Sequence, residues 1–225
     1  MCQRLTLPDD IAPLKDALAV IRDDLGDYAP RWNVTPTTRV PVLMKRAGER
    51  TLDWMRWGLI PSWATDERNL YSTFIAPADM VESKPAFRDA WNAGRRCLII
   101  ASAYIEWRCT DKQPFAIARS DGQPLFLAGL WEEPNARLRE TQRSCTIVTT
   151  AANEFIANFH DRMPVVIEPA DCVTWLGEVA SIDPATLMKP AASGKLTSWP
   201  VDRRIADPAH QDRAIAAPIR PTVRV

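Results

Sequence analysis

Residues 95–108 read RRCLIIASAYIEWR, an apolar, β-branched and aromatic run that is the strongest strand signal in the chain. More strand-like runs lie downstream: PFAIARS (114–120), PLFLAGLWE (124–132) and SCTIVTT (144–150). The first two of these are separated by Asp121-Gly122, which reads as a hairpin turn. Upstream lie VPVLM (40–44) and LDWMRWGLI (52–60), and MPVVIEP (163–169) returns to strand near the far end. Helices are fewer. Ile11, Leu14, Leu18, Ile21 and Leu25 recur at alternating spacings of three and four, which predicts one helix with Asp9 or Asp10 as cap and Gly26 as stop. KPAFRDAW (84–91), AANEFIANFH (151–160) and PADCVTWLG (169–177) are the other helical stretches. Strands outnumber helices without a βαβ rhythm, so the expected class is α+β with a curved, mostly antiparallel, barrel-like sheet and peripheral helices. One domain is expected over residues 1–225, with 206–225, punctuated by Pro208, Pro218 and Pro221, as a wrapping tail.

Composition narrows the function classes. The chain has 225 residues, 46% hydrophobic and 25% charged, with 28 basic and 28 acidic side chains, so no global charge favours nucleic acid or a membrane surface. Any basic surface must be local. With no apolar run near membrane-span length and no charged leader followed by one, a cytoplasmic protein is expected, without membrane association. Five widely spaced cysteines, Cys2, Cys97, Cys109, Cys145 and Cys172, suit reduced thiols. The lack of a CxxC pair and the presence of only two histidines, His160 and His210, argue against a structural metal, and no cofactor is expected. The nine tryptophans supply core, and also side chains able to stack on unpaired bases.

Polar residues interrupt apolar segments at three places: Asn33 in RWNVTPT (31–37), Glu106 in AYIEWR (103–108), and His160 with Asp161 and Arg162 in FHDRMP (159–164). Each has a plain structural explanation, since a strand Glu can face solvent and a helix-terminal His favours the negative end of the dipole. With Cys2 they form a chemical set. A buried Glu has a raised proton affinity, and His titrates near neutrality. Once Met1 is removed, Cys2 carries an α-amine and a thiol on one residue, a 1,2-aminothiol able to capture an aldehyde.

Met1-Cys2 and Arg4, RWNVTPT, WGLIPSW (57–63), CLIIASAYIEW (97–107), VTTAAN (148–153) and FHDRMPV (159–165) resemble, in order, the signatures of the SOS response-associated peptidase (SRAP) family, from Cys2 to about Val201. The resemblance implies a single α+β domain that acts on abasic sites in single-stranded DNA, with monomer as the default state. It implies removal of Met1 by the protein itself, followed by a thiazolidine between Cys2 and the ring-opened sugar. Glu106 matches the family's catalytic glutamate and His160 its histidine. Asn33, Trp63, Trp107, Thr149 and Arg162 fall on motif positions near the DNA cleft. Arg4 and Arg162 are expected to hold phosphates, with a tryptophan as stacking partner.

The chain also departs from the family. Counting back from Phe87, the family's orienting asparagine appears as Ile75 and its phosphate-binding arginine as Pro77; loss of such a charged contact costs about 1.5–3 kcal/mol. Asn69 fills the asparagine's role only if the intervening loop is shifted. Gln3 replaces the glycine that usually follows the cysteine, and PVDRRIAD (200–207) lacks the usual serine and asparagine pattern. Two other readings therefore stand beside the abasic-site enzyme: a thiol peptidase acting in trans, with Cys2 activated by His160, and a single-strand or junction DNA-binding module that has lost the chemistry.

Overall fold

The structure is a computed structural model that describes residues 3–66, 73–138 and 142–219; Cys2 and Asn69 lie outside these. Its strands are β1 (Leu5–Thr6), β2 (Arg22–Asp23), β3 (Arg39–Arg46), β4 (Glu49–Trp57), β5 (Ile75–Pro77), β6 (Arg96–Ala101), β7 (Ala103–Trp107), β8 (Pro114–Arg119), β9 (Leu125–Glu132), β10 (Ser144–Ala151), β11 (Arg162–Pro164) and β12 (Leu196–Pro200). Among the described residues three short α-helices accompany them: α1 (Ala12–Ala17), α2 (Pro85–Asn92) and α3 (Cys172–Trp175). The α+β class and the curved, mostly antiparallel sheet are as expected.

Two sheets share the strands, in the orders β1-β7-β8-β12 and β11-β10-β9-β6-β3-β4-β2. The second curls until β10 also meets β4 in parallel, Ser144 beside Arg56 and Cys145 beside Trp57, so that β10, β9, β6, β3 and β4 close a ring. Alternation along β6 shows how the sequence builds it. Cys97, Ile99 and Ala101 face the ring interior with Val42, Met44, Met55, Trp57, Leu127 and Ile147. Leu98 and Ile100 face outward, where Phe87 of α2 and Trp175 of α3 cover them. A strand buried on both faces reads as an unbroken apolar run, which is why residues 97–101 carry so strong a signal.

The quoted run is two strands, not one. At Ser102 the chain leaves one sheet for the other: its N–H donates to Thr6 O at 2.8 Å, and its hydroxyl is shared between Thr6 O and Leu7 O. Asp121-Gly122 is likewise no hairpin. β8 pairs with β7 and β12, whereas β9 pairs with β6 and β10, so this turn also crosses between sheets. Arg119 forks onto Asp121 there, and Gly122 takes the positive φ of 74° that the bend needs. The helix expected over residues 9–26 stops at Ala17. Ala19 turns left-handed at φ 46°, and Arg22–Asp23 pairs with β4, leaving Ile21 exposed while Leu14, Leu18 and Leu25 are buried. β-Branched Val20 and Ile21 favour that change to extended chain. AANEFIANFH forms only a 3₁₀ turn over Ile156–Asn158, because β10 extends to Ala151 and the Asn153 side-chain oxygen accepts from Ile156 N–H at 2.8 Å. Among the described residues no helix is long and apolar enough to cross a membrane.

Gly129 fixes the width of the ring. A Cβ there would lie 2.3 Å from Ile99 Cδ1 and 2.7 Å from the Thr146 carbonyl oxygen. Gly129→Ala is expected to destabilise by about 2–3 kcal/mol through overpacking, lowering the thermal midpoint by roughly 5–10 °C. A melting curve that matches wild type would show that β9 and β10 are not held this tightly.

Candidate active site

The start of the chain is bound to the strand that carries Glu106. β1 pairs with β7 through Leu5 opposite Tyr104 and Thr6 opposite Ala103, and Ile105 N–H donates to Arg4 O at 3.0 Å. Continuing the register sets Gln3 opposite Glu106. Along β7, Ala103, Ile105 and Trp107 pack toward one face with Trp32, Trp199, Val201 and Ile205. Tyr104 belongs to the core between the sheets, and strand alternation puts Glu106 on its side, 3% exposed. A carboxylate so placed has little water to stabilise its charge.

His160 arrives from another direction. Glu106 pairs across β8 with Phe115, whose ring lies 5.2 Å from that of Phe159, and the Cys109 thiol donates to Phe159 O at 2.9 Å. The end of the β7–β8 hairpin thus grips the residue before His160. Arg162 N–H lies 3.0 Å from His160 Nδ1, a hydrogen bond for the ring whose proton is on Nε2. Asp161 Oδ1 lies 2.6 Å from the same Nδ1, a contact that takes the proton on that nitrogen, so the two are alternatives; the ring is one-third exposed at most.

Asn33 and Arg4 tie this region to the chain's C-terminal segment. The Asn33 amide nitrogen faces three carbonyls, Ile205 O at 3.1 Å, Asp207 O at 2.9 Å and His210 O at 3.1 Å, and Gln211 donates back to Asn33 O. The side chain is 1% exposed, and among the described residues its buried Oδ1 has no hydrogen-bond partner. Arg4 donates to Gln3 O and Ala206 O, each at 2.9 Å, and partial burial lowers its pKa below the usual arginine value.

On β10, buried Thr149 stands opposite Pro77 of β5 and Pro164 of β11. Arg162 reaches it, donating to Thr149 O at 2.8 Å, and also meets Asp79 at 3.3 Å. Ile75 is beside Ile147, so Ile75 and Pro77 are both fixed in a strand that borders Thr149. Trp63 is 48% exposed, with its indole N–H donating to Pro85 O at 3.2 Å. Trp107 is half-buried against the cluster beneath the C-terminal segment, so Trp63 offers the more open ring. Of the thiols, Cys97, Cys145 and Cys172 are buried. Burial pushes Cys97 and Cys145 well up and Cys172 up to about 11, so none is a ready nucleophile.

Sequence reading missed a cleft of about 470 Å³ at the chain start, lined by Gln3, Arg4, Thr35, Thr37, Arg56 and Phe74 among others. The available signal was Arg56, a charge set between buried Met55 and Trp57 in β4. It also missed Asp79 as a partner for Arg162.

The family model of the SOS response associated peptidase (SRAP) matches residues 1–208. Abasic site processing protein YoqW of Bacillus subtilis is 30% identical over 217 residues, covering 92% of this chain and 95% of that one. Abasic site processing protein YedK of Escherichia coli is 32% identical over 219 residues, covering 91% and 95%. A crystal structure of a Bacteroides thetaiotaomicron protein superimposes with a TM-score of 0.83 over 97% of this chain and all of that one, at 21% identity. The chain belongs to the SRAP family.

Proposed function

We propose that this protein processes abasic sites in single-stranded DNA by forming a covalent thiazolidine through Cys2 after removing its own Met1. The observation that carries the reading is the pairing of the chain start with β7, whose register, continued by two residues, sets residue 3 opposite buried Glu106, while Phe115 and Cys109 hold the Phe159–His160 turn to the same hairpin. The names of the relatives supply the substrate class.

The steps follow from the residues. Hydrolysis of the Met1–Cys2 bond, with Glu106 moving protons, frees the α-amine. At a reference pKa near 7.8 against about 10.4 for lysine, an α-amine offers roughly 400-fold more of its neutral form at neutral pH. It adds to the aldehyde of the ring-opened sugar and loses water to give an imine. The Cys2 thiolate then attacks the imine carbon and the nitrogen takes a proton, closing a five-membered ring with no change of oxidation state. Intramolecular closure is fast because both nucleophiles are on one residue. His160, held at Nδ1 by Arg162 N–H or Asp161, assists opening of the sugar; Arg4 and Arg162 hold phosphates, Thr149 orients Arg162, and Trp63 stacks. Among the described residues the buried thiols disfavour a trans-acting peptidase that uses any cysteine other than Cys2 or Cys109.

Intact mass of the purified protein, before and after incubation with an abasic single-stranded oligonucleotide, tests this. The expected result is a Met1-free protein that gains the mass of the DNA less one water. A Met1-free protein that gains no mass but still binds the strand would overturn the chemistry and favour the binding-module reading, which Ile75 and Pro77 motivate.

A further inference from the structure

The cleft at the chain start carries two guanidinium groups, Arg4 and Arg56, with the polar side chains of Gln3, Thr35 and Thr37 and, among the described residues, no carboxylate in its lining. Arg56 is held in place. Its Nη1 donates to Gly58 O at 2.6 Å, and Gly58 has φ 130° with a position for Cβ only 2.8 Å from that Nη1, so the guanidinium lies against bare backbone. Among the described residues this is its one side-chain hydrogen bond, and no carboxylate pairs with it; a guanidinium has five N–H donors, so most remain for a ligand.

The wall next to Arg56 is strained in a way that keeps its shape. Thr37, β-branched, sits at φ 73°, a conformation such residues rarely take. It is pinned by Thr37 N–H to Trp57 O at 2.6 Å and Trp57 N–H to Thr38 O at 2.8 Å. Strain of this kind persists where surrounding structure enforces it, commonly beside a ligand site. Phe74, half-buried and edge-on to Trp57 at 6.1 Å, adds an aromatic surface, and the volume suits a nucleotide unit.

Arg56 does not replace the cation missing at Pro77. It is beside Ser144 on β10, whereas Pro77 is beside Thr149, about 17 Å further along the strand at 3.3 Å per residue. Arg162 serves that far end. We infer that Arg56, with Arg4 beside it, binds a backbone phosphate of the single strand in the Thr35–Thr37 cleft, a second anchor on the opposite side of the reacting nucleotide from Arg162. The inference builds on the proposed function in placing DNA here, but it concerns non-covalent binding and is measured separately.

Anisotropy of an unmodified, labelled single-stranded oligonucleotide, titrated across a salt series, provides the test. Arg56→Gln is expected to weaken binding about tenfold near 0.1 M salt and to reduce the slope of log K against log salt by about 0.7, the value for one phosphate on a single strand. Arg56→Lys should keep the slope. Gly58→Ala leaves the charge in place but displaces the guanidinium, and should weaken binding several-fold. Arg22→Gln, on β2 beside the far end of β4, removes the same charge and should change binding less than twofold. An unchanged slope in Arg56→Gln, or an equal loss in Arg22→Gln, overturns the inference. If Arg56→Gln does not fold, unaltered affinity in Gly58→Ala overturns it. Failure of the wild type to crosslink abasic DNA, with the Arg56 slope difference intact, would sink the thiazolidine reading and leave this anchor standing.

Discussion

Replacement of Glu106 by Gln is expected to leave the fold intact and to slow Met1 removal and crosslinking to abasic DNA by a factor of about 10²–10⁴, the usual contribution of a positioned general acid or base. The substitution keeps the volume of a side chain that is 3% exposed, so packing between the sheets is conserved while proton transfer is lost. Intact mass over time reports both events: Met1 should persist in the variant, and the DNA adduct should form slowly or not at all. Cys2→Ala gives the complementary result. With the thiol gone no thiazolidine can close, so no stable adduct should survive heat. Once freed of Met1, the Cys2→Ala variant should still form an imine through its α-amine, which borohydride reduction would trap. Rates within threefold of wild type for Glu106→Gln would remove Glu106 from the reaction and make it a buried structural acid. A heat-stable adduct in Cys2→Ala would place the bond on another residue.

Glu106 was legible in the sequence because an acid within an apolar strand is costly unless it is used or exposed. His160 was legible from the HDR triplet, but its tie to Glu106 was not, since it passes through Phe115, Cys109 and Phe159, ordinary residues from separate elements. The ring could be read in outline from the unbroken apolar run at 97–101. Its two sheet crossings could not: at Ser102 the bend is made by carbonyls of Thr6 and Leu7, almost a hundred positions earlier. Asp121-Gly122 carries a hairpin's local chemistry, yet β12 takes the place beside β8 that a hairpin partner would fill. The 9–26 periodicity misled for a similar reason. Leu18 and Leu25 are buried on the helical spacing, but Ile21 is not, because the edge of β4 recruits residues 22–23 as a strand.

The least legible contact is also the one with the largest expected effect on stability. Asn33→Asp puts a carboxylate against the carbonyls of Ile205, Asp207 and His210, among which the amide's two N–H groups are now shared. Among the described residues no donor bonds the Asn33 side-chain oxygen, and at that 1% exposed position a poorly compensated buried charge costs on the order of 3–5 kcal/mol, or roughly 10 °C in thermal midpoint. The cost has a signature in pH. Burial among carbonyls raises the new carboxyl's folded pKa above its unfolded value near 3.9. The protonated form can donate to one carbonyl, so the penalty is full above the folded pKa and shrinks as pH falls toward the unfolded one. The difference in midpoint between wild type and variant should therefore narrow from pH 8 to pH 5. Because Arg4 leans on Ile205 and Ala206 of the same segment, loosening it should also free the chain start and slow crosslinking. A variant that melts with wild type at every pH, yet crosslinks slowly, would assign Asn33 to the reacting groups and not to the clamp.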